Sequence, residues 1–291
     1  DYGSISEPEK VLFFFQGGGW CTIRETNDTF YNCLTRANTF VGSTKNLTQA
    51  ESFSKQFNQG FLSTNPQVNP AFHDWTTIYV RMCEGSSFSG RVLDPLEVMD
   101  DSGKNTSLYF RGNYILEAIA AETLSSSVRN ISHVVVGGVS SGGLAAFLHG
   151  HQVADWVQNK FQAGAETKVA YFLEGGFFPD WKNPAHPNTP MYPYSYHELM
   201  KFVYEENNAT DTLPKQCLEE RSKDEYYECM LAQNAVQYLD KPYFIVQSDY
   251  DAYQLPVELG WYDVPLPESP PFGQDYLGPS PVSWSEVKDY A

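Results

Sequence analysis

The stretch Val134-Val135-Val136-Gly137-Gly138-Val139-Ser140-Ser141-Gly142-Gly143-Leu144 decides the fold. Its β-branched start reads as a buried strand over 134–136. The small residues from about Gly143 to Phe161 read as a helix. Between them lies Gly138-x-Ser140-x-Gly142, a nucleophile-elbow pattern in the strand-then-helix setting it requires. The reason is steric. A serine on so sharp a turn needs glycine two positions before and two after, so that strand and helix can pass closely. Its hydroxyl then stands at a helix N-terminus, whose dipole favours a developing negative charge. Ser141 is the rival nucleophile, but Val139 stands where its upstream glycine would be. Its expected role is to offer its backbone N–H to an oxyanion. The competing reading is a glycine-rich turn with no chemistry.

Further strands surround this one in the sequence. Val11–Gln16 is an apolar run leading straight into Gly17-Gly18-Gly19-Trp20. Thr77–Met82, Val169–Leu173 and Tyr243–Val246 are the others. Leu108–Leu124 reads as a helix, because Tyr109, Ile115, Leu116, Ile119 and Leu124 can share one broad apolar face. Alternating strands and helices argue for an α/β class, with a mostly parallel central sheet flanked by helices in an α/β-hydrolase-like arrangement. Residues 184–240 are polar and Tyr-rich, and read as a cap or insertion. Residues 262–281 are proline-rich and read as a surface excursion. We expect one domain over 1–291, cut at both ends.

The tri-glycine stretch is the candidate oxyanion loop, with the amides of Gly19 and Trp20 as donors. A tight turn capped by a core tryptophan is the bland alternative. The acid belongs after a late strand, and Tyr243-Phe-Ile-Val-Gln-Ser-Asp249-Tyr-Asp251 offers two. Asp251 is the choice and Asp249 the rival, while either could be a helix cap only. The base should be a histidine after the acid. All six histidines (His73, His133, His149, His151, His186 and His197) precede Asp251. They read as surface or core residues. His149 and His151 are two apart on one helix and face differently, so they form no metal pair. The chain is then a piece whose catalytic histidine lies elsewhere, or an inactive relative.

Composition narrows the partners. A net charge of −17 sets nucleic acid aside. It also disfavours an acidic polymer unless cations cluster locally, with Arg24, Arg81, Arg91 and Arg111 as candidates. The 19 Tyr and 19 Phe suit either aromatic-lined grooves or plain core. No apolar run approaches the ~18 residues of a membrane span. Asn27, Asn46, Asn105, Asn130 and Asn208 fit the N-glycosylation acceptor. Cys21 and Cys33 are 12 apart, as are Cys217 and Cys229, so each pair could close a local loop. Sequons and paired cysteines point to secretion, extracellular or in a cell wall. Cys83 is left over. No C-x-x-C or His-rich cluster suggests a metal, and no cofactor is expected.

Several blocks together resemble the pectin acetylesterases and the related Notum carboxylesterases. In order they are Gly17-Gly-Gly-Trp-Cys21, Asn69-Pro-Ala-Phe-His-Asp-Trp75, Val80-Arg-Met-Cys-Glu-Gly-Ser-Ser-Phe-Ser-Gly90 and Leu108-Tyr-Phe-Arg-Gly112. Gly138-Val-Ser-Ser-Gly-Gly-Leu-Ala145, Gly176-Phe-Phe-Pro-Asp180 and Tyr250-Asp-Ala-Tyr-Gln254 follow. The resemblance covers roughly residues 10–260. It implies a Ser-Asp-His triad with Ser140 and Asp251, oxyanion amides at Gly19, Trp20 and Ser141, and a histidine in a Cys-rich segment that this chain does not reach. Acyl transfer through a serine-bound intermediate would follow, without a cofactor. Ser141 stands where the family usually has Ala, a change expected to be harmless because the backbone acts. Glu174 stands for the usual Asp. Three functions follow: removal of O-acetyl groups from pectin, Notum-like removal of a fatty acyl group from a secreted protein, or non-catalytic carbohydrate binding.

Overall fold

The computed structural model describes residues 9–24, 32–44, 59–99, 103–124, 131–161, 166–180, 195–251 and 253–258. The strands among them are β1 (Glu9–Phe15), β2 (Thr76–Val80), β3 (Leu96–Met99), β4 (Asn105–Leu108), β5 (Ile131–Val139), β6 (Lys168–Glu174) and β7 (Tyr243–Val246). The helices are α1 (Cys33–Arg36), α2 (Gly112–Glu122), α3 (Ser141–Asp155), α4 (Tyr196–Asn207), α5 (Lys215–Glu219), α6 (Ala232–Ala235) and α7 (Gln254–Val257).

Five strands form one sheet in the order β2-β1-β5-β6-β7. Every pairing in it is parallel. The sequence of β1 explains its place beside the centre. Val11 to Phe15 are all buried, although neighbours point to opposite faces, so the strand must be covered on both sides. α3 supplies much of one cover, with twelve of its residues buried. The expected strands therefore stand, with ends shifted by up to three residues and those of Tyr243–Val246 unchanged. The elbow helix starts at Ser141, two residues earlier than read, and gives way at Trp156–Phe161 to a π-helical turn.

The strand order fixes where a site can lie. From β1 the chain runs to β2 on one side and later to β5 on the other. β1 and β5 thus flank a topological switch point, whose crevice opens at the strands' C-terminal ends. The tri-glycine loop and Ser140 both lie there.

Between β6 and β7 the described residues 195–242 hold helices and turns, which fits the cap or insertion expected there. α4 begins with a capping box between Ser195 and Glu198. A disulfide joins Cys217 to Cys229 and another joins Cys21 to Cys33, as their spacing suggested. The proline-rich 262–281 lies outside the described residues.

One element differs from expectation. The helix read over Leu108–Leu124 starts only at Gly112, and Asn105–Leu108 pairs antiparallel with β3 instead. Leu108 and Phe110 are buried, whereas Tyr109 is 56% exposed. That period of two belongs to extended chain, and Val92 N–H donating to the Phe110 carbonyl fixes it. Leu108 and Phe110 pack with Cys21 and Cys33 in one buried cluster, which holds this stretch extended.

Candidate active site

Ser140 sits at φ 57°, ψ −130°, the strained bend of an elbow, just ahead of α3. Its N–H donates to the Glu174 carbonyl at 2.9 Å, which ties the elbow to the end of β6. Only glycine fits the flanks. A Cβ on Gly138 would lie 2.2 Å from the Gly142 carbonyl oxygen, and one on Gly142 would lie 2.4 Å from that of Phe15. The helix therefore starts against the end of β1, and its first N–H groups face the crevice.

The tri-glycine loop closes over this point. A Cβ on Gly17 would stand 2.9 Å from Ser140 Cβ and 3.5 Å from its Oγ. Gly19, at φ 70°, donates its N–H to Ser141 Oγ at 2.8 Å. The Trp20 indole N–H donates to Ser87 Oγ at 2.7 Å, and that hydroxyl donates to the Ser141 carbonyl at 2.7 Å. Ser140, Ser141, Gly19 and Trp20 are thus brought together as the sequence suggested. Ser141 was expected to act through its backbone alone. Its side chain, not only its backbone, enters the site by taking the Gly19 amide.

Behind the loop sit residues that sequence reading missed. Arg36 is buried at the end of α1 and donates to the carbonyls of Gly19 at 3.3 Å and Glu84 at 3.2 Å. In a trans peptide the C=O and the following N–H point opposite ways. Pinning the Gly19 carbonyl on Arg36 therefore turns the Trp20 N–H away from Arg36. The Cys21–Cys33 bridge and the Cys21 N–H bond to the Gly85 carbonyl hold the same loop. Glu84 is buried and accepts from the N–H groups of Ser86 and Phe88, each at 2.7 Å, and from the Ser86 hydroxyl. Burial raises its pKa, while these donors oppose the shift. They hold Ser87 and Phe88 in left-handed conformations, φ 51° and 60°. The one signal in the sequence was an isolated acid heading the small polar run Gly85–Gly90.

Asp251 follows β7, two strands from β5. Adjacent strands are about 4.8 Å apart. The ends of β5 and β7 are therefore about 10 Å apart. Asp251 Oδ1 accepts from the N–H groups of Tyr253 at 2.9 Å and Gln254 at 3.0 Å, so it also caps α7. Gln247 and Gln254 grip the Phe177 backbone from either side, at 3.1 Å each, which joins the acid loop to the loop after β6. Asp249 is exposed. Glu258 is buried; burial first, then the charge of Asp251, holds its pKa well up. Glu174 is half-buried and its pKa too is raised by burial.

No described histidine hydrogen-bonds Ser140 or Asp251. His149 is buried, its Nε2 2.9 Å from the Ser87 carbonyl oxygen and 3.1 Å from Ser89 Oγ. His197 lies between Asp180, at 3.0 Å, and the Tyr227 hydroxyl, at 2.8 Å. His186 lies outside the described residues. Cys83 is the cysteine left out of both disulfides, and burial pushes its thiol up to about 11, so it is not a thiolate at neutral pH.

The arginines offered as a basic groove are largely engaged. Arg24 faces Glu205 and Glu206 and stacks on Phe202. Arg91 donates to Asn113 and lies over Tyr114. Arg111 donates to the Leu93 carbonyl and lies over Tyr109. Arg81 is half-buried. Among the sequons, Asn105 and Asn208 are exposed, and Asn27, Asn46 and Asn130 lie outside the described residues. No helix among the described residues is long and apolar enough to cross a membrane.

The parallel sheet, the elbow and the glycine loop at the switch point define an α/β-hydrolase-like protein. Residues 1–263 match the pectinacetylesterase family, and the chain belongs to it. It is 32% identical over 253 residues to pectin acetylesterase 5 of Arabidopsis thaliana, covering 87% of this chain and 52% of that protein. It is 25% identical over 252 residues to the palmitoleoyl-protein carboxylesterase Notum of Schmidtea mediterranea, covering 85% and 43%. A solved structure of the Wnt deacylase Notum from Drosophila superposes with a TM-score of 0.70 at 19% identity, covering 98% of this chain and 71% of that one. The chain spans about half the length of the Arabidopsis relatives it matches.

Proposed function

We propose that the protein is a secreted serine carboxylesterase that removes O-acetyl groups from a cell-wall polysaccharide, pectin. The observation that carries the reading is Ser140 on its strained bend, with the tri-glycine loop packed against it. Ser140 Oγ attacks the ester carbonyl carbon and gives its proton to a histidine. The oxyanion is received by the amides of Trp20, Ser141 and Gly19. The alcohol leaves with that proton, and water releases acetate from Ser140. Asp251 orients that histidine.

Two considerations support the choice of substrate. The relatives named pectin acetylesterases, at 26–32% identity, are nearer than the Notum carboxylesterases, at 22–25%. The exposed sequons at Asn105 and Asn208 suit an extracellular protein. With the candidate arginines Arg24, Arg91 and Arg111 engaged, recognition rests on the ester and its sugar rather than on the polymer's negative charge.

The test is hydrolysis of p-nitrophenyl acetate by the whole protein and by two variants. Ser140→Ala should abolish turnover with the fold kept. Asp251→Asn should lower kcat by about 10³–10⁴. Retained turnover in Ser140→Ala would move the nucleophile elsewhere. A comparable loss in Asp249→Asn, with Asp251→Asn active, would reassign the acid. Preference for a long-chain ester over the acetate would favour a Notum-like deacylase.

A further inference from the structure

Gly19 has a single N–H, and Ser141 Oγ takes it at 2.8 Å. The amides of Trp20 and Ser141 donate to no acceptor among the described residues. Of the three proposed oxyanion donors, one is therefore already occupied by the protein itself. Ser141 cannot drift away as a body. Its carbonyl is held by Ser87, which is in turn held by the Trp20 indole. The residue is wholly buried. Rotation about its Cα–Cβ bond is the motion left that would release the amide.

We propose that the Ser141 hydroxyl competes with the reacting ester for the Gly19 N–H, so that Ser141 is a rate-setting positioning residue. The inference rests on Ser140 being the nucleophile. A neutral ester carbonyl is no better an acceptor than a hydroxyl, so substrate binds without disturbing the contact. An oxyanion is a stronger acceptor, because charge-assisted hydrogen bonds are about twice as strong as neutral ones. It wins the amide only in the transition state. The displaced hydroxyl must then turn and find another partner inside a buried site, and that cost falls on kcat rather than KM.

Two substitutions in the whole protein test this. Ser141→Ala removes the acceptor. Ser141→Cys keeps a side chain of similar size but accepts only weakly, and carries the test if the alanine variant does not fold. Both should raise kcat for p-nitrophenyl acetate between roughly twofold and tenfold, with KM unchanged, as expected for one neutral hydrogen bond removed. An unchanged kcat in both overturns the proposal. A fall in kcat overturns it too, and would make the hydroxyl itself an oxyanion donor. A rise in Ser141→Ala with none in a folded Ser141→Cys would assign the effect to packing, against the proposal. A fluorophosphonate probe separates the layers. Labelling of Ser140 in the unsubstituted protein, without faster turnover in the variants, sinks this inference alone. No labelling and no turnover in any form sinks the esterase reading with it.

Discussion

His149 shows how one buried side chain links the site's scaffold to pH. It lies on α3 with Nε2 facing the Ser87 carbonyl and Ser89 Oγ, so it supports the loop that holds Trp20. Burial, with a smaller push from His151, holds its pKa down to about 3. An unfolded histidine takes its proton near pH 6.5. Below that pH the unfolded chain binds a proton that the folded one refuses, so this contribution to stability falls as pH drops from about 6.5 toward 3. Between pH 7 and pH 5 the loss should be about 2 kcal/mol. The buried carboxylates with raised pKa, Glu84 and Glu258, work in the other direction, stabilising the fold as pH falls. The comparison must therefore be made between protein and variant. Urea unfolding at both pH values should show that His149→Gln loses less stability on acidification than the unsubstituted protein. Equal losses would mean that His149 is not neutral in the fold. Neither this role nor that of Arg36 was legible in the sequence. A buried charge looks like a surface charge in a sequence, because only its partners distinguish it.

At the level of elements, the two disulfides form a natural comparison. Both close loops of the same sequence separation, 12 residues. Chain-entropy arguments assign each about 3 kcal/mol. Only Cys21–Cys33 adjoins the glycine loop, since Cys21 follows Trp20 directly and Cys33 opens the helix that ends in Arg36. Replacing either pair by alanines should cost similar stability in chemical unfolding. Loss of Cys21–Cys33 should also lower kcat, and loss of Cys217–Cys229 should leave it nearly unchanged. Equal effects on kcat would deny the glycine loop its dependence on the bridge. The elements themselves were legible where burial is two-sided, as in β1, because an apolar run then has a single meaning. The β3–β4 pair was not. Glu97, Asn105, Thr106 and Ser107 give it no apolar alternation, and Leu108 runs straight into Ile115, Leu116 and Ile119, which keep a helical period.

For the molecule as a whole, the strand order β2-β1-β5-β6-β7 explains why residues far apart in sequence meet. Gly17–Trp20 follow β1, Ser140 follows β5 and Asp251 follows β7, so all three lie at the same end of one sheet. Alternating strands and helices made the parallel class readable, and the glycine pattern made the elbow readable. Which strands are neighbours was not readable, because pairing is decided by how the crossovers pack. The most direct test is a structure of the whole protein after reaction with a fluorophosphonate, whose tetrahedral phosphorus imitates the acyl-transfer intermediate. The account predicts phosphorus on Ser140 Oγ, with the phosphoryl oxygen about 3 Å from the backbone nitrogens of Trp20 and Ser141. Phosphorus on another residue, or a phosphoryl oxygen turned away from those two amides, would contradict it.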